Sequence, residues 1–551
     1  MYERCHFKPD ALPHSARRSA NQSAMLLVLI FWLMSFSVQA QTQPDAGRVL
    51  QDTMPQSVIP PEKSLDLQLK AQQSDEASAG GPQIQLKRIT VTGNTLYSEE
   101  SLLSAVNDAM GQSYDLTGLR GIANRITEYY RDHGYPFARA YIPEQSISKG
   151  TLAIAVVEGR YGQVAATGDT SLTDWAQPFL KSLTVGSVIS SGPLERSIMI
   201  LDDQPGINVA PSIRPGADAG TGDLDVQVNQ GPRTEGQIGT DNHGNRYSGE
   251  YRANADVSLN HNFMPGDEVS VRAIYTNEDL WLGQLAYSRP LGDSGLRGQA
   301  SYTKTDYALR APYQGYSGTA EIGAMGSSYP LIRSQRLNLM AVASGQYKNL
   351  NNELQDSSYD KKSSWSWPVG LQFDCRDNLG GSAQTYGNLM LTLGHLNSSS
   401  GGVANGAFTK GNVYVARIQS LPSPLSLFTS ISGQWSDTEL DSSESFILGG
   451  ANAVRAYPQG EGSADKGLLG QIELRYALEK LSPYLFYDTG WTSKDAQDQN
   501  RTISGTGIGL RYSGKNGFLN ASTAWKTAGG EEQSDDRKSN PRFWFSVGYR
   551  F

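Results

Sequence analysis

From residue 233 to Phe551 apolar and polar positions alternate with a period of two, in runs of about ten residues broken by turn residues. Ala253, Ala255, Val257 and Leu259 stand against Asn254, Asp256, Ser258 and Asn260, and Leu468, Gly470, Ile472 and Leu474 against Leu469, Gln471, Glu473 and Arg475. In the last run Phe543, Phe545, Val547, Tyr549 and Phe551 share one face, with Arg542, Trp544, Ser546, Gly548 and Arg550 on the other. This period predicts β-strands. Alternation alone suits a soluble sandwich as well as a membrane barrel. The face chemistry separates the two, because one face is apolar with aromatics near the strand ends and the other carries charges and amides, matching lipid outside and water inside. Sixteen candidate strands fit, at about 20 residues for each tilted span and its connection. Connections at 264–267, 290–295, 422–424, 479–483 and 514–517 are expected to be short, and those at 348–364, 397–411, 437–467, 493–503 and 527–540 long. Short turns on one side and long loops on the other are the pattern of a bacterial outer-membrane barrel. An even strand number returns Phe551 to the side that carries the N-terminal part of the chain, the periplasm.

Upstream of residue 233 the period changes. Residues 84–91 alternate as a strand, and Ser98 caps a helix whose Glu99 and Glu100 suit the positive end of its dipole. A second helix starts at Asp115, with Leu119, Ile122, Ile126 and Tyr129 at helical spacing, and Gly134 stops it. Strands are expected at 137–142 and 151–157. The order βααββ buries two helices on one face of a three-stranded sheet. The unit occurs twice, since Val91-Thr92-Gly93-Asn94-Thr95 returns as Ala166-Thr167-Gly168-Asp169-Thr170, with Gly111 matching Gly186, Leu119 matching Leu194, Leu152 matching Leu224 and Gly159 matching Gly231. This places one copy at 84–159 and the other at 160–232. Residues 45–54 predict a short helix with Asp45 as N-cap, and 55–83, rich in Pro, Gly and charge, a linker. A helix of this length is marginal alone, so it requires a docking surface, and without one the segment is a disordered leader.

Composition narrows the compartment and the partners. Arg17 and Arg18 precede the apolar run 25–38, which ends in Val38-Gln39-Ala40, and residues 1–40 read as a secretory signal peptide. The run is short for a bilayer span, and no apolar stretch of that length returns. Of 2 cysteines only Cys375 lies beyond the cut, so no intramolecular disulfide is expected in the mature chain. Lys+Arg 47 against Asp+Glu 55 gives a net charge of −8, which offers nothing to a phosphate backbone, so nucleic acid is not expected as a partner. The chain of 551 residues is too long for a single small binding module. His133, His243, His261 and His395 are scattered, and neither HExxH nor GxSxG is present, so neither zinc nor serine hydrolase chemistry has its spacing. The G-x-x-x-x-G-K string from Gly509 to Lys515 lacks the following helix of a nucleotide loop and reads as a tight turn between strands. No catalytic group, cofactor or metal is expected.

Two motifs then become specific. The sixth long loop holds Gly449-Gly450-Ala451-Asn452-Ala453-Val454-Arg455-Ala456-Tyr457, and the second strand after it reads Tyr484-Leu485-Phe486-Tyr487-Asp488-Thr489-Gly490. Two α+β units, a 16-strand barrel, a GGxxxVRxY loop, an FxDxG strand and a terminal Phe together resemble the outer-membrane transporters of two-partner secretion, the POTRA-barrel proteins that export haemolysins, adhesins and contact-dependent inhibition toxins. The resemblance covers roughly residues 45–551. It implies a mostly β fold, a 16-stranded antiparallel transmembrane β-barrel preceded by two βααββ POTRA domains and a short plug helix that occupies the pore at rest. It implies a lock in the lumen made by Arg455, Tyr457, Phe486, Asp488 and Gly490, with Arg455 folded back to pair with Asp488. Parity agrees, since Asp488 shares a face with Tyr484 and Phe486, opposite Leu485, Tyr487 and Trp491, and a carboxylate facing hydrocarbon would be costly. Arg suits the pairing because its planar fork grips a carboxylate with two hydrogen bonds. Ala456 stands where the family usually has Gly, a strain only if the backbone there takes positive φ. Phe551 resembles the terminal signature read by the barrel-assembly machinery.

The function implied is export of a large unfolded exoprotein across the outer membrane, without ATP, with outer-membrane lipid around the barrel. The partner is expected to add as a strand to an exposed sheet edge, here residues 137–142 with Phe137, Arg139 and Tyr141. Passage requires the plug helix and the sixth loop to leave the lumen, and folding outside prevents return. The alternatives are an assembly factor for other barrels, which would share the loop and the terminal Phe, and a plain porin, which leaves the repeat unexplained. An enzyme is disfavoured because no catalytic set is present.

Overall fold

A computed structural model describes residues 43–54, 80–147, 149–400, 404–495 and 500–551. The expected signal peptide at 1–40 and most of the linker, 55–79, lie outside the described residues. The expected helix is present as Ala46–Thr53, and the Asp45 side chain accepts from the Arg48 N–H at 2.9 Å.

The first α+β unit runs from Ile84 to Val157. Its helices Glu99–Ser104 and Leu116–Asp132 start at the caps Ser98 and Asp115. They cover a three-stranded sheet in which Thr151–Val157 lies between Arg88–Thr92, parallel to it, and Arg139–Tyr141, antiparallel. Residues 84–91 are not one strand. Leu86, fully buried, gives its N–H to Gln112 O, and Ile84–Gln85 pairs instead with Ser113–Tyr114 before the chain crosses to the main sheet. Leu119, Ile122 and Ile126 are buried as expected, whereas Tyr130 rather than Tyr129 is the aromatic that reaches the core.

The second unit repeats this topology. Arg160–Gly168 and Ile207–Pro215 flank Thr221–Gln230, below helices Thr170–Ala176 and Ser191–Asp202. Its equivalence to the first reaches single hydrogen bonds. Gly111 N–H donates to Leu86 O and Gly186 N–H to Tyr161 O, both at 2.7 Å and both from a positive φ. At the strand ends a Cβ on Gly93 or Gly168 would strike Val156 O or Val228 O, so the repeated glycine is a steric requirement.

The remaining chain forms a closed barrel of 16 antiparallel strands, from Thr234–Asp241 to Arg542–Arg550, each paired with its neighbour in sequence and the last with the first. Phe551 exchanges backbone hydrogen bonds with Gly236, so the chain end and the barrel start meet on the side of the α+β units. Phe543, Val547, Tyr549 and Phe551 point outward and are exposed, while Arg542 and Trp544 are buried on the inside. The short connections stand where expected, with Pro483 inside its strand rather than before it.

The long connections differ. In place of a loop at 348–364, strands Leu337–Leu354 and Ser357–Asp377 continue to a two-residue turn, Gln355 and Asp356, with φ of 50° and 62°, the left-handed pair a tight hairpin requires. At about 3.3 Å per residue, 18 and 21 residues exceed the hydrocarbon thickness, and the hairpin stands above it. The connections expected at 397–411 and 493–503 shrink likewise, because their strands run to Ser398 and Asp495 and resume at Gly406 and Arg501. Residues 437–463 and 529–541 are long, and 242–251 is a third substantial loop.

Candidate functional site

The sixth extracellular connection, 437–463, folds into the lumen. Phe446 and Ala464 exchange backbone hydrogen bonds at its base, and Leu448 and Gly449 donate to Glu461 O. Its Leu448, Val454, Ala456 and Tyr457 pack on Leu469, Tyr484, Phe486, Ile503 and Ala524 of the inner wall, a buried apolar cluster inside a polar lumen.

At the tip, Arg455 is 5 % exposed and Asp488 fully buried. Arg455 donates from Nε to Asp488 Oδ2 at 2.8 Å, from Nη2 to Oδ1 at 2.7 Å, and from its backbone N–H to Oδ2 at 3.1 Å. This is the expected bidentate pair with a third bond added. The remaining guanidinium nitrogen, Nη1, reaches Glu473 Oε1 at 2.6 Å. Glu473 was not singled out from the sequence, although it alternates onto the inner face there, and it also accepts from Arg475 and Arg511. The Arg455 guanidinium lies 3.5 Å above the Phe486 ring centroid, which covers one of its faces. Each nitrogen of the fork thus donates to a carboxylate while the charge stays neutralised, the condition for a buried ion pair to hold.

The other expected lock residues close the packing. Tyr457 is fully buried and its hydroxyl donates to Ala528 O at 2.9 Å and Gly530 O at 3.0 Å, tying the sixth loop to the eighth. A Cβ on Gly490 would come within 2.3 Å of Leu448 Cδ1, so glycine there lets the loop lie flat on the wall. Ala456 does not take positive φ, and its methyl fits over Gly505, where a Cβ would meet it at 2.3 Å. The departure from glycine therefore brings no backbone strain. Glu461, also missed in the sequence, is fully buried and accepts from Gln533 N, Ser534 N and Ser534 Oγ of the eighth loop.

Helix Ala46–Thr53 lies beside this loop within the barrel. Its Ala46, Val49 and Leu50 pack on Tyr307, Ile322 and Leu350, which alternate with outward residues such as Tyr302 and Tyr347 and so line the lumen. Asn352 Oδ1 accepts the Ala46 N–H at 2.8 Å. Lys362 Nζ contacts Asp45 Oδ2 at 3.1 Å and Asp441 Oδ2 at 2.7 Å, so one wall cation holds both the helix cap and the sixth loop. A Cβ on Gly47 would meet Ser442 Oγ at 2.3 Å, which shows how closely helix and loop pack. Further along that loop Glu444, paired with Lys348 and Lys410, is held well below the usual carboxylate range despite its burial. Burial pushes Asp52 up, against the pull of Arg48, Gln459 and Arg252.

The expected docking edge at 137–142 is not open. Phe137 lies outside strand Arg139–Tyr141 and packs against the core of the second unit. Arg139 and Tyr141 are exposed, but between them the Ala140 N–H is taken by Thr127 Oγ1 at 2.9 Å, so the helix above caps the strand. Two other edges are capped in the same manner. Glu99 Oε1 accepts from Val91 N, and Gln177 bonds both Ala166 N and Val164 O. Among the described residues no side chain from outside its own sheet hydrogen-bonds the backbone of the fourth edge, Ile207–Pro215, between Asn208 and Pro215.

Residues 84–159 match the ShlB-type POTRA domain, and residues 220–512, more than half of the chain, match the haemolysin secretion/activation protein family ShlB/FhaC/HecB. The heme/hemopexin transporter protein HuxB of Haemophilus influenzae strain 86-028NP is 26 % identical over 94 % of this chain and 97 % of its own. The outer membrane transporter CdiB of Escherichia coli O6:K15:H31 is 26 % identical over 79 % and 78 %. Among solved structures, CdiB from Escherichia coli superposes with a TM-score of 0.69 at 20 % identity, covering 98 % of this chain and all of that one, a likeness of fold. The chain belongs to the ShlB/FhaC/HecB haemolysin secretion/activation family, as an outer-membrane transporter of two-partner secretion with a 16-stranded barrel and periplasmic POTRA domains.

Proposed function

We propose that this transporter exports one large exoprotein of the haemolysin, adhesin or contact-dependent inhibition type, and that helix Ala46–Thr53 is the plug that closes the pore between transport events. The observation that carries the proposal is the occupied lumen, in which a helix from the chain's own N-terminus is docked by a small apolar face, an N-cap carboxylate on Lys362 and the Asn352 bond. The sixth loop is anchored far more heavily, by the Arg455 fork, Tyr457, Glu461 and the buried cluster around Leu448. This difference supports a division of labour in which the helix leaves and the loop stays as a lining of the wall, in place of the release of both.

The partner arrives unfolded in the periplasm, where no nucleotide supplies energy. Edge Ile207–Pro215 of the second POTRA unit supports strand addition better than the capped edge at 137–142, and backbone hydrogen bonds there give affinity without strict side-chain identity. Gly206, at its start, packs on Asn260 and His261 of the first periplasmic turn, so a strand added there begins beside the barrel. The partner then threads the lumen in extended form, and its folding outside buries apolar surface that opposes return. Co-expression with a neighbouring large exoprotein tests the reading. The exoprotein is expected in the medium only when this chain is present, and a general loss of barrel proteins on deletion would indicate an assembly factor.

A further inference from the structure

The bilayer-facing wall between strands Trp281–Pro290 and Ser357–Asp377 is unevenly covered. Along one cross-strand row Tyr302, Gly323, Tyr347 and Trp365 are successive register partners, and along the next row toward the periplasm Ala300, Met325 and Gly345 are. Glycine or alanine interrupts the large residues in both rows. The small ones form the floor of a groove of about 750 Å³, and the exposed rings of Tyr302, Tyr347 and Trp367 form its rims. The site has a definite depth. One step toward the extracellular ends the outward residues become Lys304, Glu321 and Asn349, again register partners, with Lys304 and Glu321 paired at 3.0 Å and exposed Lys361 beyond. The apolar band ends there, so the groove lies in the extracellular half of the hydrocarbon, under an aromatic girdle.

We propose that this groove is a binding site for the acyl chains of an outer-leaflet glycolipid, with the headgroup at the level of Lys304, Asn349 and Lys361. Hydrocarbon must fill the depression, because an unfilled apolar groove forfeits dispersion contacts on one side, and its position below the outer polar row selects the leaflet that supplies it. The opposite face of the same strands carries Ile322 and Leu350, on which helix Ala46–Thr53 packs, so a chain held outside braces the wall that docks the helix inside.

Native mass spectrometry of the full chain, after exchange into a delipidating detergent and addition of either lipid A or phosphatidylethanolamine, tests the site. A Cβ on Gly323 meets nothing within 4 Å, so Gly323→Leu combined with Ala300→Leu fills the groove from open space, and Gly411→Leu, equally unobstructed, fills a neighbouring groove as control. The wild type and Gly411→Leu are expected to retain lipid A at least ten-fold more than the double variant. Equal retention by all three, retention of phosphatidylethanolamine in preference, or a dimer that the double variant abolishes would each overturn the proposal. If the double variant does not fold, lipid A with brominated chains should quench wild-type tryptophan fluorescence, with most of the quenching removed by Trp365→Phe and Trp367→Phe. Quenching unchanged by those two replacements would overturn it.

Discussion

Trp544, in the last barrel strand, donates its indole Nε1 hydrogen to the backbone carbonyl of Arg455 at 2.7 Å, both groups buried. The strand that closes the barrel thus holds the tip of the sixth loop directly, beside the seam with the first strand. Trp544→Phe keeps an aromatic ring, though a smaller one, and leaves that carbonyl without its donor, at a cost of about 1–3 kcal/mol. Hydrogen exchange at residues 453–457 is expected to quicken roughly in proportion, while the barrel strands keep their protection.

The two carboxylates that share Arg455 are not equivalent. Glu473 retains Arg475 and Arg511 when the loop is disturbed, whereas among the described residues Asp488 keeps only the Gln471 amide, at 3.3 Å. Arg455→Ala leaves Asp488 buried without a cation, and breaking a pair of this kind costs about 3–5 kcal/mol. The thermal midpoint of the barrel in detergent and the secretion yield should both fall. Arg455→Lys should lie between the two, since an ammonium supplies the charge without the fork. Asp488→Asn is expected to lower secretion more than Glu473→Gln, and the reverse order would remove Asp488 from the centre of the lock.

Gly490 and Leu448 form a complementary pair across loop and wall. In Gly490→Ala the new methyl meets Leu448 Cδ1 at 2.3 Å and Leu468 O at 2.9 Å, so the loop must lift or the strand must bend. A loss of about 1–3 kcal/mol is expected for this overpacking. Adding Leu448→Ala makes room for the methyl, and the double variant should be more stable than the sum of the single losses. A thermal double-mutant cycle measures that coupling, and additivity would mean the two residues do not meet.

Sequence alternation made the barrel legible wherever one strand face meets lipid, and failed where both faces meet water. Asn349, Asn351 and Glu353 point outward above the bilayer while Lys348 and Asn352 point inward, so this polar stretch reads as a loop although its backbone is paired to the end. The Arg455 and Asp488 partnership was legible from motif and parity. The part played by Glu473 was not, because it depends on a register that sets Glu473 opposite Phe486, which no local pattern encodes. The POTRA repeat appeared through glycines that backbone geometry demands, yet the capping of edges by Thr127, Glu99 and Gln177 is a tertiary matter that sequence spacing does not reveal.

Among the described residues, Lys362 is the cation that Asp45, Asp360 and Asp441 share. Lys362→Met keeps the length of the side chain and removes the charge, leaving three carboxylates crowded at the helix cap. Their repulsion should expel the helix more than the loop, since the loop has its other anchors. Single-channel conductance of the resting protein is expected to rise toward that of a chain lacking residues 41–60, and an unchanged conductance would mean that the helix does not obstruct the pore.

The opposite effect is expected at the other end of the same helix. Asp52 is 7 % exposed, and burial raises its pKa over the attraction of Arg48, Gln459 and Arg252, so the docked helix favours the protonated carboxyl. Once the helix leaves, Asp52 returns to the ordinary value of about 3.9. Docking therefore strengthens as pH falls from neutrality toward the ordinary carboxylate range, and it weakens as pH rises again. Resting conductance should fall as the pH is lowered from neutrality, for the same reason. Asp52→Asn imitates the protonated state at every pH, so the variant should show the low conductance already at neutral pH and lose the slope. A slope that survives in Asp52→Asn would assign the pH response to another group.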